Sequence, residues 1–141
     1  MSWFDAMECC YYNKGYLAEP QNVEEQTKIV EYIQVADGGT LGLSAWWLGA
    51  NDMHMEGSWS WPSGQPFGYT NWVEGEPNDS NGLEDCAAID RLVTGTTMTI
   101  TGTTMTTTSP SPKDYQWMDL NCTESIHGAV THYAVCERIP A

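Results

Sequence analysis

Positive charge is scarce in this chain: five Lys and Arg stand against nineteen Asp and Glu, for a formal net charge of -14 over 141 residues. A surface of that sign repels phosphate backbones and anionic headgroups, so nucleic acid is excluded as a partner. Long apolar runs are missing too. None approaches the roughly 18 residues that a membrane span needs, and the first residues lack the basic-then-apolar order of an export signal. Close CxxC pairs, the usual mark of a structural zinc site, are absent. So are HExxH and GxSxG, which leaves His54, His127 and His132 without a metal-binding or nucleophile-activating context; they are expected on the surface. No long polar linker divides the chain, which reads as one domain, residues 1–141.

What is abundant is bulk and acid. Hydrophobic residues make up 41% of the chain, and seven Trp and seven Tyr are enough to fill a small core, where most of the Trp are expected. There are five cysteines, Cys9, Cys10, Cys86, Cys122 and Cys136. Three of them lie in polar or loop-like surroundings, which favours disulfides in an oxidising compartment over reduced thiols. Adjacent cysteines rarely bond each other, so one of Cys9 and Cys10 is spare.

Ser2 followed three residues later by Asp5 resembles a capping box, and Trp3, Phe4, Met7, Cys10 and Tyr11 then recur at helical spacing. A second helix is predicted from Asn22 and Glu25 through Val23, Ile29, Val30 and Ile33, ending at Gly38 and Gly39. From Leu41 onward aromatic residues and turn glycines and prolines predict short strands and long irregular loops, with core strands at Cys86–Ile89 and Tyr133–Val135. Between these two strands, Thr94-Gly95-Thr96-Thr97-Met98-Thr99 repeats as Thr101-Gly102-Thr103-Thr104-Met105-Thr106 within a low-complexity insert, about 93–112. The insert is read as a flexible loop, with a projecting hairpin as the alternative.

The chemistry concentrates between Glu74 and Asp85. Oxygen donors at Glu76, Asn78 and Glu84, joined by the distant Asp119, match what a hard cation such as calcium takes, about six to eight oxygen ligands. The spacing is not that of an EF-hand, whose sixth and twelfth loop positions would be Asn81 and Ala87 here.

Taken in order, the motifs resemble those of the C-type lectin-like domains along nearly the whole chain. Trp3, Ala6, Cys10 and Leu17 resemble the family's first helix, and Glu25 falls where its second carries an acid. Trp47-Leu48-Gly49-Ala50-Asn51-Asp52 looks like its WIG-type strand; Glu56-Gly57-Ser58-Trp59-Ser60-Trp61, Thr70-Asn71-Trp72 and Glu76-Pro77-Asn78 follow in the family's order, and Cys86, Cys122 and Cys136 complete the frame. The resemblance implies an α+β fold of two helices flanking small antiparallel sheets, with a long calcium-binding loop. It implies the disulfides Cys10–Cys136 and Cys86–Cys122, leaving Cys9 free. Loops of those lengths stabilise by roughly 4 to 5 kcal/mol each on the chain-entropy model. The family also has a strand ahead of the first helix that pairs near the C-terminus. Here that strand is expected to be missing, which would leave Tyr133–Cys136 as an exposed edge.

The resemblance further implies calcium-dependent binding of mannose-type sugars with vicinal equatorial hydroxyls by a secreted, non-enzymatic domain, with innate immune recognition as the setting. The principal calcium is assigned to Glu76, Asn78, Glu84 and Asp119, which would also hydrogen-bond the sugar, with a cis bond before Pro77. Asp52, Glu56, Asp79 and Asp85 match an accessory calcium site. Glycans are the expected partners, and weak single-site affinity makes a homo-oligomer useful for avidity. One departure stands out: the family's Trp-Asn-Asp is Trp117-Met118-Asp119, and a thioether is a poor calcium ligand. A calcium-independent protein-recognition or ice-binding domain on the same fold is therefore the alternative. An acid-base hydrolase is weakest, because no separate catalytic carboxylate pair stands out.

Overall fold

The computed structural model describes residues 1–36, 44–90, 100–101, 104–105, 115–127 and 130–138. Ser2 caps helix α1 (Trp3–Tyr12) by the reciprocal pattern its sequence predicts: the Asp5 N–H donates to Ser2 Oγ, and the Ser2 N–H to Asp5 Oδ2, both at 3.1 Å. Trp3, Ala6 and Cys10 form its buried face. Phe4 and Tyr11, grouped with them by spacing, point outward, because a short helix against one sheet face buries only a narrow stripe. Strand β1 (Gly15–Leu17) follows, then α2 (Val23–Ala36), where the Glu25 N–H donates to Asn22 Oδ1 at 2.9 Å. Ile29 and Ile33 are buried there, Val30 is half-buried and Val23 is exposed. The helix runs to Ala36; the predicted stop at Gly38 and Gly39 lies outside the described residues.

Strand β2 (Ser44–Asn51) is the axis of the molecule, and every residue from Ser44 to Ala50 is buried. Alternation divides its side chains between two cores. Trp46, Leu48 and Ala50 join Ile29 and Ile33 of α2, whereas Ala45 and Trp47 join Trp3, Ala6 and Cys10 of α1. β3 (Cys86–Asp90) repeats the pattern, with Ala87 and Ile89 on the first side and Cys86 and Ala88 on the second.

After the pair β4 (Ile100–Thr101) and β5 (Thr104–Met105), the chain completes its sheets with β6 (Trp117–Leu120), β7 (Ile126–His127), β8 (Val130–Ala134) and β9 (Cys136–Arg138). The five-stranded sheet runs β6-β3-β2-β8-β7. It is antiparallel, as expected, except between β2 and β8, which are parallel.

Near the C-terminus Tyr133 pairs with Trp46 of β2 while the β7 ladder reaches only as far as Thr131, and Cys136 pairs with Leu17 where β9 meets β1, its one paired neighbour among the described residues. The backbones approach so closely there that a β-carbon at Gly15 would collide with the Glu137 carbonyl. Cys10–Cys136 and Cys86–Cys122 are both bonded, and Cys9 is a half-exposed free thiol. Of the Thr-rich insert, β4 and β5 form a two-stranded antiparallel pair, the hairpin alternative; its remainder lies outside the described residues.

Trp3, Trp46, Trp47, Trp61 and Trp117 are core, as expected, while Trp59 and Trp72 are half-buried and meet edge-on. His54 is exposed. His132 overturns the surface assignment: it is 1% exposed, edge-on to Trp47 at 5.0 Å, with Nδ1 3.1 Å from the Glu124 carbonyl oxygen. A strand position facing a tryptophan buries an imidazole whatever its polarity. The side chain of His127 lies outside the described residues.

Candidate functional site

Between β2 and β3 the chain runs from Asp52 to Asp85 with no strand, only isolated bridges and one 3-10 turn, Ser80–Gly82. Trp117 anchors this loop from beneath, packed against Trp61, Tyr69 and Trp72 with ring centroids 5.6 to 5.9 Å apart. Its indole N–H donates to Gln26 Oε1 at 3.0 Å, and Gln26 Nε2 donates to the Tyr115 carbonyl at 3.1 Å. With Trp117 fixed, the next inward residue of β6 on the same side, Asp119, is delivered to the loop.

Asp119 is 1% exposed, and its charge is answered by the loop backbone. The Asn78 N–H donates to Oδ1 at 3.1 Å and the Asp79 N–H to Oδ2 at 2.6 Å. Across the cis Glu76–Pro77 bond, Asn78 Nδ2 donates to Glu76 Oε1 at 2.9 Å, and the Asp119 N–H reaches Glu76 Oε2 at 3.4 Å. Carboxylate oxygens of Glu76, Glu84 and Asp119 lie within 4.8 Å of one another. Left to themselves, these groups push the Glu76 carboxyl up to about 8, first through burial, then through hydrogen bonding to Asp119 and its charge.

A second carboxylate group, Asp52, Glu56 and Asp85, likewise has oxygens within 4.8 Å of one another. The Asp52 N–H donates to the Asp85 carbonyl at 3.0 Å, joining the two ends of the loop, and the Gly57 N–H donates to Asp52 Oδ2 at 2.8 Å. Asp52 Oδ1 is buried with no hydrogen-bond partner among the described residues. Burial pushes the Asp52 carboxyl up, opposed by the Gly57 N–H bond and assisted by the charge of Asp85. Asp79 stands beside this group and not within it: its Oδ1 accepts the Glu84 N–H at 3.1 Å, bracing the turn that carries Glu84.

Both donor sets are all oxygen, convergent and anionic, and one contains an orphaned buried carboxylate oxygen; they fit a hard divalent cation. Met118 does not take part. It pairs across the sheet with Ala88, on the face opposite Trp117, and packs half-buried against the α1-side core. Sequence reading missed the backbone donors at Asn78, Asp79 and Gly57 and the buried Gln26. The run Asn78-Asp79-Ser80-Asn81-Gly82 did hold a signal, because Asp79, Asn81 and Gly82 all take positive φ, which those residue types tolerate best.

The family model described as Lectin C-type domain matches residues 1–138. Perlucin of Haliotis laevigata is 34% identical over 142 residues, covering 99% of this chain and 72% of its own. The low affinity immunoglobulin epsilon Fc receptor of Mus musculus is 34% identical over 84 residues, 60% of this chain and 23% of the receptor. The chain thus spans less than a quarter of that relative and about three quarters of perlucin. Among solved structures, the cow C-type carbohydrate-recognition domain of CD23, determined with a GlcNAc2Man3 oligosaccharide, superposes at TM-score 0.68 with 23% identity, over 100% of this chain and 82% of that one. A calcium-independent type II antifreeze protein superposes at 0.62 with 25% identity, over 96% and 77%. With a family model matching all but its last three residues, the chain belongs to the C-type lectin domain family.

Proposed function

We propose that this domain binds mannose-type sugars through a calcium ion held by Glu76, Asn78, Glu84 and Asp119, with Asp52, Glu56 and Asp85 able to hold a second. The observation that carries the reading is the meeting of Glu76, Glu84 and Asp119, two from one loop and one from a strand, around a single locus. Calcium bound there supplies open coordination positions for two neighbouring sugar hydroxyl oxygens. The residues supply direction. Glu76 and Glu84 accept hydroxyl protons, Asn78 Nδ2 is the one side-chain donor of the set, and Asp119, tied by two backbone N–H groups, fixes the loop that presents them. The relatives are lectins and receptors, and the paired disulfides suit an extracellular setting. A role in innate immune recognition, and self-association for avidity, belong to the same reading.

Calorimetric titration with calcium at neutral pH, followed by mannose, tests it. Calcium heat and then calcium-dependent mannose heat are expected, with mannose near millimolar affinity, about 4 kcal/mol. Absence of calcium heat would sink the reading. Met118 is the observation favouring a second reading, calcium-independent recognition on the same fold, and binding of a ligand unaffected by chelator would select it.

A further inference from the structure

The chain holds two Asn-x-Ser/Thr triplets, Asn78-Asp79-Ser80 and Asn121-Cys122-Thr123, and the structure distinguishes them. The Asn78 side chain is engaged at both ends, Nδ2 donating to Glu76 Oε1 at 2.9 Å and Oδ1 accepting the Ser80 N–H at 3.1 Å. A glycan on that nitrogen would displace the bond to Glu76. Asn121 is built differently. Its Oδ1 accepts both from the Thr123 N–H, at 3.0 Å, and from the Thr123 hydroxyl, at 2.8 Å. Among the described residues nothing accepts from its Nδ2, and that atom is not one of the buried polar atoms left without a partner, so it opens to solvent. Thr123 is exposed. The turn is closed by the Glu124 N–H on the Asn121 carbonyl at 3.2 Å, and pinned from behind where the Trp3 N–H donates to the Cys122 carbonyl at 2.9 Å and Cys122 bonds Cys86. The triplet is thus held in a braced turn with its acceptor nitrogen accessible to solvent.

We propose that Asn121 is an N-linked glycosylation site. In the transfer, Nδ2 forms a bond to the anomeric carbon of an oligosaccharide carried on a lipid diphosphate. The bond from that carbon to the diphosphate oxygen breaks, the diphosphate leaves with the electron pair, and one Nδ2 proton passes to a base of the transferase. The hydroxyl that such transfer requires two residues on is that of Thr123. The two disulfides place the chain in the oxidising compartment where the donor is available. The folded domain accommodates a glycan here without losing a hydrogen bond, which it does not at Asn78.

The test is expression of the full chain behind a cleavable leader in secreting animal cells, with peptide mapping before and after peptide-N-glycosidase in heavy-oxygen water. The Asn121 peptide is expected to convert to isotopically labelled Asp. Asn121→Gln and Thr123→Ala are both expected to lose the glycan, and Thr123→Ser to keep it. Asn121→Gln also removes the turn's acceptor and risks retention in the cell, so the wild-type peptide decides, read from the cell-associated fraction if none is secreted. An unmodified Asn121 peptide in the wild-type protein, or a glycan on Asn78 with Asn121 bare, would overturn the proposal.

Discussion

Asp119 is a buried charge that the fold holds before any ligand arrives, through the N–H groups of Asn78 and Asp79. Its neighbour Met118 tests how complete the site is. Replacing the half-buried thioether by an amide should cost about 1 to 2 kcal/mol of stability in chelator, since it packs on the α1-side core. Because position 118 faces away from Asp119, the same Met118→Asn change should leave calcium affinity unchanged; urea denaturation and calorimetry read the two effects separately. Tighter calcium in the variant would bring position 118 into the site. Glu76 gives the pH dependence. Its carboxyl is raised from 4.5 to about 8 without a cation, so the proton is favoured by the folded state. That contribution is fully present below about pH 4.5 and is lost as pH rises through about 8. In chelator, stability should therefore fall between those limits, and Glu76→Gln should flatten the fall. Calcium needs the carboxylates ionised, so with calcium present the dependence should reverse, binding weakening on acidification. Denaturation midpoints at pH 5.5, 7 and 8.5, with and without calcium, check both signs.

At the scale of elements, α2 is hydrogen-bonded to the support of the site through Gln26. Its amide takes the Trp117 N–H and gives to the Tyr115 carbonyl, so Gln26→Leu leaves two buried polar groups unpaired. A loss of roughly 2 to 4 kcal/mol is expected by denaturant titration, with calcium affinity falling too because Trp117 sets the position of β6. Local signals in the sequence read these elements well. The Ser2 and Asp5 cap, the apolar spacing of α2 and the β3 strand all appear where nearest-neighbour chemistry places them. What local chemistry does not encode is pairing over distance. The parallel β2–β8 contact and the β1–β9 ladder join residues with most of the chain between them, and Gly15 gives no hint of its partner until Glu137 is beside it. His132 failed for the same reason, since its burial is decided by Trp47. The site lies between these cases. Its loop carboxylates are conspicuous in sequence, but Asp119 enters from about forty positions away, and only the order of the family motifs links it to Glu76.

For the whole molecule, the acidic excess has two possible remedies, and they respond differently to solution conditions. Ordinary salt screens charge everywhere, with a Debye length near 8 Å at about 0.15 M, and relieves repulsion without regard to position. Calcium at the two carboxylate groups relieves it only where Glu76, Glu84 and Asp119, and Asp52, Glu56 and Asp85, are drawn together, which occurs in the folded chain alone. A ligand bound only by the native state stabilises by mass action, about 2.7 kcal/mol at a hundred times its dissociation constant. For a chain of this size that corresponds to a rise in Tm of roughly 5 to 10 °C. Thermal unfolding followed by tryptophan fluorescence should therefore show calcium raising Tm well beyond sodium chloride at matched ionic strength. Removing Asp52 and Asp85 together by Asn substitution should take away part of the calcium effect and leave the chloride effect in place. If chloride alone reproduced the whole rise, the clusters would be a solvated acidic surface, and the net charge of -14 would be a matter of solubility instead of ligation.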